Sequence, residues 1–81
     1  MGSSQIFRTA SEVLRDFPDV DPKVLDHFVG RYKDTTKFEV YRVAPEKWLT
    51  TISGDGWAVS GTFASSETGA ILKAVRAALQ R

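Results

Sequence analysis

Gly54-Asp55-Gly56 lies between two runs rich in β-forming residues, Trp48 to Ser53 and Trp57 to Phe63, and no other feature narrows the fold as much. An Asp-Gly dipeptide between such runs predicts a two-residue hairpin with positive φ angles. Lys37 to Val43 alternates and is rich in β-formers, so it predicts a strand before the hairpin. Ala44-Pro45-Glu46-Lys47 reads as the first turn, because Pro45 has no N–H to give to a ladder. The expectation is a three-stranded antiparallel meander.

The hairpin also predicts a register. With Asp55 and Gly56 as the loop, Ile52 faces Val59, Thr50 faces Gly61 and Trp48 faces Phe63, all on one side. A turn between Val43 and Trp48 adds Val43, Tyr41 and Glu39 to that side. The other side then holds Leu49, Thr51, Ser53, Ala58, Ser60 and Thr62, with Arg42, Val40 and Phe38. The first side is expected to be an aromatic core. The second is mostly small and hydroxylic, with an apolar end near Phe38.

Helices are expected on both sides of the meander in sequence. Thr9-Ala10-Ser11-Glu12 fits a capping box that opens a helix over about Ala10 to Asp16, and Phe17 ends it ahead of Pro18. Asp21 caps a second helix with Pro22 in its first position. Val24, Leu25, Phe28, Val29 and Tyr32 form its apolar stripe, and it frays near Asp34. Gly30 either allows close packing or begins that fraying. Ser65 or Ser66 caps a last helix, with Glu67 in its first turn and Ile71, Leu72, Ala74, Val75, Ala78 and Leu79 on its buried side. The predicted fold is a small α+β domain in the order α-α-β-β-β-α, with the last helix and helix two packed on the Trp48/Ile52/Val59/Phe63 face. Residues 9–81 form the domain and residues 1–8 a flexible start.

Composition limits what such a domain can be. Its 81 residues suffice for one compact unit, and 42% are hydrophobic, which argues against disorder. A chain this short buries only about 60% of its unfolded surface, so the core is thin. With no Cys, neither a disulfide framework nor a thiolate metal site can form. Net charge is +1 from 11 basic and 10 acidic residues, so nucleic-acid binding requires the basic groups to cluster. No apolar run approaches the roughly 20 residues of a membrane span, and no basic segment leads into an apolar one at the N-terminus. The expectation is a soluble, cytoplasmic protein with no membrane partner.

Catalytic and metal signatures are sparse. His27 is the only histidine, and Asp26 beside it does not share its helix face. The serines stand in turns, caps and strands without a base motif. Asp16, Asp19 and Asp21 lack the glycine and terminal Glu of a calcium loop. Gly54-Asp55-Gly56 precedes no helix N-terminus and so is no phosphate loop. The expectation is a non-enzyme with no metal and no cofactor.

The hydroxylic side of the sheet is the candidate binding surface. Arg42, Lys47, Lys37, Thr51 and Ser60 are the candidate nucleic-acid contacts, since Arg can read guanine or phosphate and hydroxyls can contact phosphate. An ordinary solvated face, rich in exposed Thr, accounts for the same residues. Phe38, Val40 and Leu49 are the candidate protein contacts, apolar enough to want a cover.

Tyr41-Arg42, Lys47-Trp48-Leu49-Thr50-Thr51-Ile52 and Gly61 to Ala70 together resemble the DNA-binding domain of the plant Apetala/ethylene-response-factor family. That resemblance covers about half of the chain. It implies a three-stranded sheet that enters the major groove, followed by a helix. Trp48 and Ile52 keep the family spacing, and Gly61, Thr62, Phe63, Ser65, Glu67, Gly69 and Ala70 align. Val59 stands where the third-strand Trp belongs, the first turn is shorter, and most of the DNA-contacting strand arginines are absent. Only Arg42 and Lys47 carry over. The order of elements also resembles a double-stranded-RNA-binding domain, but Ser66, Glu67 and Thr68 stand where that family places phosphate-binding lysines. The functional expectation is a small nucleic-acid-binding or regulatory module that takes duplex nucleic acid on a sheet face. The alternative is a protein-interaction module, such as a small inhibitor, an adaptor or a self-associating accessory protein.

Overall fold

The computed structural model describes the backbone of residues 4–7, 9–32 and 36–81, and side chains from residue 9 onward within those ranges. Along the chain run β1 (Ser4–Phe7), α1 (Ala10–Asp16), α2 (Pro22–Tyr32), β2 (Lys37–Ala44), β3 (Lys47–Gly54), β4 (Trp57–Ser60) and α3 (Glu67–Leu79). The expected α-α-β-β-β-α order is present, and the meander gains a strand. Ser4–Phe7, assigned from the sequence to a flexible start, pairs antiparallel with β2, so the sheet order is β1-β2-β3-β4. Residues 1–3 and 8 of that start lie outside the described residues, as does Asp34, where helix two was expected to fray.

Each helix begins on the cap that its sequence specifies. The Thr9 hydroxyl accepts from the Glu12 N–H at 3.1 Å, and the Asp21 carboxylate accepts from the Lys23 N–H at 3.0 Å. Ser66, rather than Ser65, caps α3 by accepting from the Gly69 N–H at 3.1 Å. Each such cap is worth about 1 kcal/mol against Ala. At the other end of α3, Arg31 donates to the Leu79 and Arg81 carbonyls at 2.6 and 2.9 Å, and the Tyr32 hydroxyl donates to the Ala78 carbonyl. Carbonyls at a helix end lack the regular helical donors, and α2 adds side-chain donors there, although the Ala78 carbonyl also accepts from the Arg81 N–H at 3.3 Å.

Both hairpins turn on two residues, and in each only the second has positive φ. Gly56 is at 78°, as expected, but Asp55 is not positive. In the first hairpin Ala44 pairs with Lys47 around Pro45 and Glu46, and Glu46 is at 65°. Pro followed by a positive-φ residue is the type II pattern, whose twist fits poorly between paired strands. The ladder carries a bulge at Val43, so that Arg42 rather than Val43 lies opposite Trp48.

That bulge corrects the expected facing of the whole of β2. Phe38 pairs with Ile52 and Val40 with Thr50, so Phe38, Val40 and Arg42 share the side of Trp48, Thr50 and Ile52. Glu39 and Tyr41 go to the opposite side. Phe38, Val40, Thr50 and Ile52 are at most 1% exposed, which identifies theirs as the core side. A second irregularity moves Phe63. Trp48 pairs with Ala64, not with Phe63, and Phe63 is 47% exposed rather than part of the core.

The core is one layer of side chains between the sheet and the three helices. Phe28 of α2 meets Phe38 edge to face at 5.4 Å, and Val13, Leu25, Ile71, Ala74 and Val75 complete the packing. Burying a Phe of this kind is worth about 1.5–3 kcal/mol, so these rings matter in a domain so thin. Trp57 lies over Gly54 and stacks with Tyr32 at 4.7 Å, closing the end of the layer. Helix α3 comes closest to the sheet at Gly61, where an added Cβ falls 2.6 Å from the Ala74 nitrogen.

Two glycines therefore make opposite predictions. Gly61→Ala pushes α3 off the sheet and is expected to lower stability by about 1–3 kcal/mol. Gly30 has no atom within 4 Å of a would-be Cβ, so space is not its role, and Gly30→Ala is expected to add about 0.5–1 kcal/mol. Urea unfolding of the two variants, followed by circular dichroism, measures both.

Candidate binding face

All three helices lie on one side of the sheet, and none of them covers the other. In β2 the open side carries Lys37, Glu39 and Tyr41, and in β3 it carries Lys47, Leu49, Thr51 and Ser53. In β4 it carries Ala58 and Ser60. Alternation along each strand forces this, because successive residues point to opposite faces. The Val43 bulge decides which alternate set of β2 is outside.

The open side has two ends of different chemistry. Toward the second hairpin it is hydroxylic, and the Thr51 and Ser60 hydroxyls hydrogen-bond across the strands at 2.9 Å. Toward the first hairpin it is apolar. Tyr41 lies opposite Leu49, and the Trp48–Ala64 bridge places Phe63 beside Leu49 on the far flank. Tyr41 and Leu49 are half-buried, and Phe63 is exposed. The Lys47 ammonium sits 4.5 Å from the centre of the Phe63 ring. Val43, in the bulge at the same end, is exposed as well.

Of the candidates read from the sequence, Lys37, Lys47, Thr51, Ser60 and Leu49 share this face. Arg42 does not. It lies opposite Trp48 on the inner side, with its guanidinium 5.9 Å from that ring, and is exposed. Phe38 and Val40, expected as protein contacts, are core residues beneath the helices and face no partner. Tyr41, Glu39 and Phe63 were expected inside and instead stand on the open face. The alternation of Phe38-Glu39-Val40-Tyr41 was the available signal: it places Glu39 outside and Phe38 inside, in agreement with the bulged register.

Charge on the face is mixed. Lys37 and Lys47 stand at its ends and Glu39 between them in β2. The Tyr41 hydroxyl donates to the Glu39 carboxylate, two residues away on the same face. That hydrogen bond, aided by partial loss of water and by the carboxylate's charge, raises the phenol above its ordinary value. His27 is exposed on α2, and among the described residues no group of three or more His, Asp or Glu side chains is placed to hold a metal ion. No helix among the described residues is long and apolar enough to cross a membrane.

Comparison with protein-family models, with curated proteins and with solved structures finds no match. The residues of the face are therefore the ground for a functional reading.

Glu39→Gln removes the carboxylate and is expected to bring the Tyr41 phenol back toward about 10, the ordinary tyrosine value. Phenolate absorbance in an alkaline titration reads the change, with Tyr32→Phe isolating the Tyr41 signal. A raised folded-state value stabilises fully below the unfolded value and is lost as pH rises through the folded one. The variant and the parent are therefore expected to differ in the pH dependence of stability in the alkaline range, where the Tyr41 phenol ionises.

Proposed function

We propose that this chain is a non-enzymatic protein-interaction module whose open sheet face docks a protein partner. The observation that supports the reading most is the row Tyr41, Leu49 and Phe63, an apolar strip on the uncovered side of the sheet. Hydroxyls border it toward the second hairpin and the Lys47 ammonium stands over the Phe63 ring, and interfaces commonly have an apolar centre with a polar border. Tyr and Phe are suited to the centre because they offer large area with few rotatable bonds.

Nucleic acid is the competing occupant. Lys37, Lys47, Thr51 and Ser60 stand on the face as that reading requires, and Phe63 with Lys47 offers a ring and a cation to a base. The resemblance to the plant DNA-binding domain implies the same use of the sheet. Against it, Arg42 lies on the inner side and Glu39 occupies the middle of the outer one. A phosphate backbone is recognised by clustered cations, and here the two lysines lie at opposite ends.

The test is a photo-crosslinking residue at position 49 or 51, introduced in cells that express the chain, with adducts identified by mass spectrometry. The expected result is a discrete protein adduct that purified components reproduce and that Phe63→Glu reduces at least about tenfold, the loss typical of an interface hot spot. Salt-dependent binding of purified chain to duplex or single-stranded nucleic acid, with no protein adduct, would overturn this reading in favour of the other.

A further inference from the structure

β4 ends the sheet on the side away from β1. Its pairs with β3 are Gly54–Trp57, Ser53–Ala58, Ile52–Val59 and Thr51–Ser60, and the Gly61 N–H continues the ladder to the Thr50 carbonyl at 3.0 Å. In an antiparallel ladder the backbone groups of alternate residues point the same way. Trp57 and Val59 therefore turn theirs toward β3, as the Gly61 N–H does, while Ala58 and Ser60 turn theirs outward. No hydrogen bond among the described residues takes these outward groups.

Proteins usually guard such an edge with charge, proline or a covering element. From Gly56 to Ser66 this chain has no charged residue and no proline. Ala58, Ser60 and Thr62 are exposed. The irregularity between the Thr51–Ser60 pair and the Trp48–Ala64 bridge limits the open edge to about one short strand.

The flank beside this edge is cationic. Helix α3 runs along β4, in contact at Gly61 and Ala74. The Lys73 ammonium donates to the Phe63 carbonyl at 2.8 Å at one end of the edge, and the Arg81 guanidinium stands 4.7 Å from the Trp57 ring centre at the other. Arg76 is exposed on the helix between them. None of the three forms an ion pair among the described residues.

We propose that the β4 edge takes an added strand: an extended peptide segment of a partner, with acidic side chains at alternate positions. Its backbone pairs with Ala58 and Ser60. Every second side chain points to the helix side, where Lys73, Arg76 and Arg81 favour carboxylates. Main-chain bonds supply the affinity and the flank supplies the selection. A second copy of this chain is a poorer occupant. A two-fold axis near Ser60 sets Lys73 of one copy against Arg81 of the other. This inference concerns the edge and stands apart from docking on the open face.

The test uses the isotope-labelled full chain and a short end-blocked peptide alternating Glu with Thr, with a Lys-for-Glu peptide as control. The acidic peptide is expected to shift the Ala58 and Ser60 amides and slow their exchange with solvent, while the basic peptide does neither. Lys73→Gln with Arg76→Gln weakens the effect about tenfold, the scale of losing charge pairs at an exposed rim. Ala58→Pro, which removes an outward N–H, abolishes it. Unshifted β4 amides, or equal shifts with both peptides, overturn the proposal. Shifts confined to Tyr41, Leu49 and Phe63 also overturn it, while leaving the open-face reading in place. So does a dimer in sedimentation that Ala58→Pro abolishes.

Discussion

One inserted residue decides which side of this sheet meets the helices. Pro45 fixes the first position of a tight turn, Glu46 takes a left-handed conformation at the second, and β2 bulges at Val43. A one-residue shift in an antiparallel strand exchanges its two faces. Without the bulge, β2 would present Glu39 and Tyr41 to the helices and leave Phe38 and Val40 in water. With it, Phe38 meets Phe28, and β2 matches the face of Ile52 and Thr50. Left-handed backbone at a non-glycine residue carries a penalty of about 1–2 kcal/mol, which the burial of two β2 side chains more than offsets.

Packing follows from that choice. The three helices can all lie on one side because the apolar positions of β2, β3 and β4 converge there. Helix α3 then settles onto the sheet at Gly61, where the absence of a side chain lets Ala74 approach. Helix α2 closes the far end by hydrogen bonds from Arg31 and Tyr32 to the last carbonyls of α3. The functional surface is what remains. An open face with Tyr41, Leu49 and Phe63 at one end, and a free strand edge beside a cationic helix, both result from placing every helix on the same side.

Much of this was legible in the sequence. Local signals sufficed for the helices: Thr9, Asp21 and Ser66 act as caps, Phe17 ends α1, and the stripe of α3 is buried where its periodicity places it. Asp55-Gly56 set the β3–β4 register correctly from Gly54–Trp57 to Thr51–Ser60, but not as far as Trp48, which pairs with Ala64 rather than Phe63. The β2–β3 register was not legible from the turn, because turn length does not reveal a bulge. The polarity of Phe38-Glu39-Val40-Tyr41 carried that information and should outweigh loop counting, since burial of two large apolar residues exceeds the cost of one irregular pair. Strand β1 was missed because four residues of mixed polarity have no period to read. The candidate site inherited these errors: Arg42, Phe38 and Val40 were placed with Leu49, while Tyr41 and Phe63 were placed inside. Thr51 and Ser60 lie on the side that the hairpin gives them, while Lys37 reaches that side only through the bulged register of β2.

The facing of β2 is the claim on which the core, the open face and the functional reading all depend. Cross-strand nuclear Overhauser effects measure it directly. The account predicts strong contacts pairing Phe38 with Ile52 and Val40 with Thr50 across the strands, together with contacts from the Phe38 ring to Phe28. Contacts pairing Glu39 with Ile52 and Tyr41 with Thr50 would contradict it, because they would mean an unbulged turn and a β2 with its faces exchanged.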